Sequence, residues 1–209
     1  MTKVVNVGIP KGGVGKTTAV VLLSYWLGRQ GRKVMVLDAN ENQGVLAWRG
    51  YRLQRGGDIP FTVVPSSRFS GEVGGWDYVV IDSPPRWNEA TIYATTISNL
   101  MIIPAHVRGL DLVCLRAMMD TPAFQSVPKL LLLNFVTGSC RRSACYEQFV
   151  QAGQELGCSV VQWGYRECYG AVGSGVLPWD NKAQIKTDYR GQFFTEFRLF
   201  LSALTGIGL

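Results

Sequence analysis

Apolar residues in this chain fall into short runs that do not alternate with polar ones. Val4 to Val7, Val34 to Leu37, Tyr78 to Ile81, Leu100 to Ile103 and Lys129 to Leu133 are each almost wholly apolar, as expected of strands covered on both faces of a parallel sheet. Phe61 to Val64 and Val160-Val161 add shorter strands. Between them the apolar period lengthens to that of a helix. Thr17 to Gly28 carries Val20, Val21, Leu23, Trp26 and Leu27 and stops near Gly28 and Gly31. Trp48 to Arg55 and Gln148 to Leu156 read as further helices. Asp111 reads as the N-cap of a helix reaching about Asp120. Tyr189 to Leu204 sets Phe193, Phe197, Phe200, Leu201 and Leu204 on one broad side. Strands alternating with helices predict an α/β fold: one doubly wound, mostly parallel sheet flanked by helices, in a single domain over residues 1–209. Right-handed crossovers in such a sheet place the ligand site beyond the carboxyl ends of the strands.

The candidate chemistry gathers at those ends. The first strand runs into Lys11-Gly12-Gly13-Val14-Gly15-Lys16-Thr17-Thr18 and then a helix. Glycines without a Cβ let consecutive backbone N–H groups turn onto one anion, at the positive end of the following helix. The general phosphate-loop pattern G-x-x-x-x-G-K-[ST] assigns Lys16 to the β/γ-phosphates and Thr17 to Mg²⁺, but Pro10 stands where it has its first glycine, and Lys11 is an extra lysine. The third long strand delivers Asp82 to its carboxyl end before Ser83-Pro84-Pro85. His106, the sole histidine, has no partner motif and is given no chemistry.

Composition narrows the class. Hydrophobic residues make up 47% of the 209, yet no apolar run approaches the ~18 of a spanning helix, and the chain starts on a strand with no signal peptide. The expectation is a cytoplasmic protein. Five cysteines, odd in number and without a C-x-x-C pair, argue for reduced thiols over disulfides or zinc. A net charge of +6, from 21 Lys and Arg against 15 Asp and Glu, favours contact with a polyanion. Arg49, Arg52 and Arg55, spaced by three along one helix, are candidate phosphate contacts, as are Lys182, Lys186 and Arg190.

Lys11 to Thr18 resembles the deviant P-loop of the ParA/MinD family of ATPases, closest to the small ParA-like partitioning ATPases. The resemblance implies ATP and Mg²⁺ as ligands, with Lys11 reaching a nucleotide held by a second subunit. Asp38-Ala39-Asn40-Glu41-Asn42 resembles the family's Asp-x-Asp-Pro-Gln segment, with Asp38 supporting Mg²⁺ and water. Asn40 stands where the family orients the attacking water with an aspartate, so slow hydrolysis is expected, since an amide does not accept a proton as a carboxylate does. Asp82-Ser83-Pro84-Pro85 resembles the Asp-Thr-Pro-Pro of Walker B and switch II, which makes Asp82 a Mg²⁺ residue. Asn134 resembles the strand-end asparagine that reads the adenine edge. Tyr165 to Tyr169 resembles a C-terminal Arg-x-x-Tyr segment, and Pro178-Trp179-Asp180 lies where the family wraps the base. The implied function is an ATP-dependent homodimer that binds DNA non-specifically, associates with the nucleoid, takes a ParB-like or other cargo adaptor as partner, and acts in plasmid or chromosome partitioning. Two other classes stay open. A MinD-like membrane-associated ATPase would use the last helix as an anchor, although Arg198 is its only late basic residue. A metabolic or iron–sulfur P-loop ATPase would call on Cys114 and Cys140.

Overall fold

The structure, a computed structural model, describes residues 1–86, 88–164, 167–180 and 187–209. Its strands are β1 (Lys3–Val7), β2 (Val34–Asp38), β3 (Thr62–Pro65), β4 (Tyr78–Asp82), β5 (Leu100–His106), β6 (Lys129–Val136) and β7 (Ser159–Gly164). They form one seven-stranded sheet in the order β3-β2-β4-β1-β5-β6-β7. Every pairing is parallel. The helices are α1 (Lys16–Arg29), α2 (Gly44–Gln54), α3 (Glu89–Thr96), α4 (Gly109–Met119), α5 (Pro122–Gln125), α6 (Ala144–Glu155), α7 (Glu167–Val172) and α8 (Thr187–Gly206).

Because side chains alternate across a strand, each strand feeds two cores. Val5, Val7, Val36, Val80, Ile102 and Leu132 face α1, α7 and α8. Met101, Ile103, Leu131 and Leu133 face α4, α5 and α6. Val4, Met35, Val79 and Ile81 pack with Ala94 of α3 on a third cluster. Apolar side chains on both faces are the reason the strands read as continuous runs. Phe193, Phe197, Phe200 and Leu204 of α8 are buried as their spacing predicts, and Trp163 of β7 stacks on Tyr169 of α7 at 4.8 Å. None of the described helices is long and apolar enough to cross a membrane.

Helix starts differ from expectation at α2, which begins at Gly44 and not at Trp48, at α6, which begins at Ala144 and not at Gln148, and at α4. Asp111 is not an N-cap: α4 begins at Gly109 after Arg108, and Asp111 lies in its first turn. Its carboxylate turns back to accept the backbone N–H of His106 at 3.0 Å, which closes the β5–α4 turn.

Candidate nucleotide-binding site

β1 lies at the middle of the sheet, and the loop leaving it reaches α1 through Gly13 (φ 74°) and Gly15 (φ 97°). Residues with a Cβ rarely adopt that left-handed backbone. Gly15 is the N-cap of α1, without side-chain capping and with no acid in the first turn, so the unpaired N–H groups and positive end of the helix are left for an anion. Lys16 is buried with 6% exposure, and its ammonium donates to the Lys11 carbonyl. Burial lowers its pKa, against the pull of Asp82.

Asp82 ends β4 beside this loop. Its Oδ2 accepts the Thr17 hydroxyl at 2.7 Å, whereas its Oδ1 is buried with no hydrogen-bond partner. Burial, reinforced by the nearby Asp38 and opposed by the Thr17 bond and Lys16, pushes the carboxyl up to about 7. A buried oxygen without a donor beside a hydroxyl fits a small, hard cation such as Mg²⁺. Thr17 and Asp82 are the residues that would hold it, and its contribution there would be to neutralise phosphate charge.

Asp38, at the end of β2, is otherwise engaged. It accepts the backbone N–H groups of Val45 at 3.0 Å and Leu46 at 3.1 Å, and that of Asn40 at 3.4 Å. The carboxylate thus caps α2 from the neighbouring strand and pins that helix to the phosphate loop, where Gly44 packs against Thr17. Burial raises its pKa, with these three N–H donors pulling the other way. Asn40 closes a turn on the N–H of Asn42 at 3.2 Å. It lines a cleft of about 340 Å³ together with Gly12, Gly13, Gly15, Lys16, Thr17 and Thr18 on one side and Pro85, Phe135, Tyr169 and Gly173 on the other. Glu41 reaches Arg86 of the loop after β4 at 3.4 Å, both exposed.

Lys11 does not share this cleft. Its ammonium lies 3.4 Å from Oδ1 of the buried Asp111 and keeps 34% exposure. The ammonium groups of the two loop lysines therefore lie in different places, one buried within the loop and one on its rim.

Asn134, the strand-end amide that the resemblance assigns to the adenine edge, is bonded within the chain. Its Nδ2 donates to the Val14 carbonyl at 3.1 Å and its Oδ1 accepts the N–H of Phe135 at 2.9 Å. With 2% exposure it braces the phosphate loop, and a Cβ at Gly15 would strike its amide.

Among the basic residues proposed for DNA, Arg49 and Arg55 are exposed. Arg52 is a correction: it is buried with 4% exposure. Its guanidinium forks onto Asp180 at 2.5 and 2.8 Å and also reaches Asp58 Oδ1 and the carbonyls of Gly175 and Asp58. It fastens the 175–180 segment to α2 and is not available to a phosphate. Three residues on a helix turn the side chain by about −60°, so side chains spaced by three need not share one environment: Arg52 is buried between exposed Arg49 and Arg55. Lys182 and Lys186 lie outside the described residues, as do Tyr165 and Arg166, and Arg190 is described only by its place in α8. Trp179 packs among Tyr25, Phe193 and Phe197, and Asp180 serves Arg52.

A set of residues with no motif of its own completes the site. Asn6, buried in β1, accepts the Ser83 hydroxyl at 2.7 Å and donates to Thr95 at 3.0 Å. Thr95 in turn donates to the Thr91 carbonyl, and Thr91 to Asn88 and the Arg86 carbonyl. The loop after Asp82 is thereby tied to α3. The only sequence signal was a lone amide within an apolar run, which has to be satisfied if buried.

A parallel seven-stranded sheet with a glycine-rich loop at its central strand, a second lysine on the loop's rim and a strand-end aspartate against the loop's threonine defines the P-loop NTPase fold of the ParA/MinD type. The chain belongs to the VirC1 protein family, whose model matches residues 2–132. It is 31% identical over 111 residues to protein virC1 of Rhizobium radiobacter, covering 49% of this chain and 48% of that one, so it spans about half the length of the curated relatives it matches. The fold is shared with a plasmid partition protein of Borrelia burgdorferi B31 bound to AMPPNP (TM-score 0.69, 16% identity, 97% and 99% of the two chains). It is shared also with pNOB8 ParA bound to nonspecific DNA (TM-score 0.58, 16% identity, 77% and 79% of the two chains).

Proposed function

We propose that this chain is a partitioning ATPase: it closes into a homodimer over ATP and Mg²⁺, binds DNA non-specifically in that state, and positions a plasmid, chromosome or other cargo on the nucleoid through an adaptor protein. The observation that carries the reading is the separation of the two loop lysines. Lys16 is buried at the phosphate cradle, whereas Lys11 sits on the rim in a half-exposed ion pair with Asp111, from which it can be drawn toward a nucleotide in a facing subunit. Such a lysine gains a phosphate ligand only in the dimer, so ATP stabilises the closed state by its differential contacts. Asp82, with its loop tied through Ser83 and Asn6 to α3, supports a route by which the γ-phosphate alters the surface of that helix. Asn40 supports slow turnover and a long-lived dimer, because an amide holds a water without taking its proton. The fold shared with a DNA-bound ParA supports the DNA partner. Exposed Arg49 and Arg55 are the described candidates for phosphate contact.

Oligomeric state by light scattering with ATP, ADP or no nucleotide, all with Mg²⁺, tests the proposal: a dimer is expected with ATP alone. Lys16→Ala should abolish nucleotide binding, and Lys11→Ala should spare binding but prevent dimerisation. Equal loss of binding in both variants would refute the assignment of Lys11 to a facing subunit. DNA retardation should require ATP and weaken as salt rises, and retardation indifferent to nucleotide would refute the switch.

A further inference from the structure

The cleft has a phosphate end and an aromatic end, and only the first is accounted for by the loop. At the other end β6 is irregular: its register against β7 shifts between Leu133 and Val136. Inside that irregularity Phe135 adopts φ 57°, a left-handed backbone shared by Gln43 alone among the described non-glycine residues. A bulky residue holds such a conformation only where its surroundings fix it, and bulges beside functional sites re-aim a side chain. The fixing contacts are present. The Asn134 carbonyl oxygen accepts the Phe135 N–H at 2.9 Å, and the His106 ring meets the Phe135 ring edge-on at 4.9 Å between centroids. Phe135 lines the same cleft as Gly12, Lys16 and Thr17. The side chain best suited to reading a base edge, Asn134, has both ends of its amide bonded to backbone. Phe135 also lies just beyond residues 2–132, the stretch that matches the family model.

We propose that Phe135 is the base platform of the cleft, and that purine nucleotides are held there by stacking on its ring and not by hydrogen bonds to the base edge, so that ATP and GTP bind with similar affinity. This rests on the cleft being the nucleotide site. Stacking accepts any π-face and discriminates weakly between bases, whereas a site built to pair with a base edge rejects the wrong edge strongly because its polar groups are left unpaired. The strained backbone then has a purpose: it turns a ring that would otherwise join an apolar core toward the bound base.

Calorimetric titration of the full chain with Mg²⁺ and ATP, GTP or inorganic triphosphate tests this. ATP and GTP should agree within about threefold, and both should bind tighter than triphosphate by roughly five- to hundredfold, the gain expected from stacking one base. Phe135→Ala should lose that gain for both nucleotides and leave triphosphate unchanged. Phe135→Gly accepts the left-handed backbone, so it separates ring from strain and should lose the same amount, while Phe135→Tyr should retain it. ATP favoured over GTP by more than about thirtyfold would overturn the proposal, as would undiminished ATP binding by Phe135→Gly. Triphosphate binding with no gain from either base would overturn the platform alone. Failure of all three to bind, or triphosphate binding indifferent to Lys16→Ala, would overturn the nucleotide site with it.

Discussion

Replacing Arg52 by Met keeps the length and helix propensity of the side chain while removing its charge, and the structure sets the size of the effect. Asp58 keeps 51% side-chain exposure, so its share of the network is a surface pair worth at most ~1 kcal/mol. Asp180 keeps 19% and, among the described residues, has one other donor, the Leu177 N–H at 2.7 Å. Stripping the partner from a fully buried pair costs ~3–5 kcal/mol, and partial access to water brings Asp180 to the lower end, about 3 kcal/mol. For a chain of this size that corresponds to a Tm lower by roughly 6–12 °C. Arg49→Ala, at an exposed site on the same helix, should stay within ~0.5 kcal/mol. Asp180→Asn combined with Arg52→Met should recover part of the loss, since the uncompensated charge is gone and the amide oxygen still accepts the Leu177 N–H. Thermal melts followed by circular dichroism measure all three. DNA retardation across a salt series, run well below the Tm, gives a second reading: Arg49→Ala should flatten the log–log salt slope by ~0.9 if it meets one phosphate, and Arg52→Met should leave it unchanged. An Arg52→Met protein that melts like the parent yet loses a unit of salt slope would refute the burial argument.

Asn40→Asp should raise ATP turnover by ~10²–10⁴-fold, the usual worth of a general base, and shorten the dimer's lifetime, both followed by phosphate release and light scattering. An unchanged rate, with Glu41→Ala abolishing turnover, would move the base to Glu41. Asp82 supplies a pH effect in metal-free protein. With its carboxyl pushed up from 3.8 to about 7, the folded chain keeps a proton that the unfolded chain releases, so this group's contribution to stability is full below pH ~4, is lost as pH rises toward 7, and is flat above. Asp82→Asn should therefore gain on the parent across that window in melts with EDTA, and a gap that does not change with pH would contradict the assignment.

The sheet was legible because burial on both faces leaves unbroken apolar runs, and the phosphate loop because its glycines and lysines are adjacent in the chain. What stayed hidden depends on direction. Arg49, Arg52 and Arg55 look equivalent by spacing, yet Arg52 turns inward to carboxylates, one of them far along the chain at Asp180. Asp111 has the composition of a cap, but whether an aspartate caps its own helix or turns back to the preceding strand end depends on one residue's backbone angles, as its bond to the His106 N–H shows. Asn134 was legible as a strand-end amide, and its partners Val14 and Phe135 were not. The Asn6–Ser83–Thr95 chain joins three separate elements and no local pattern announces it.

The order of the sheet also bears on how the chain is made. β1 precedes the other six strands of the sheet in the chain and yet occupies its centre, where Lys3 pairs with Tyr78 and Val5 with Leu100. Until β4 and β5 have been synthesised, the phosphate loop has a strand behind it and no neighbours on either side, and Thr17 lacks Asp82. Non-local parallel pairing of this kind is slow to form, so Val4, Val5 and Val7 stay without partners while the segments up to β4 and β5 are made. A ligand of the loop can assist folding only after β4 and β5 have emerged, so translation pauses before β5 would prolong the vulnerable interval and pauses after it would not.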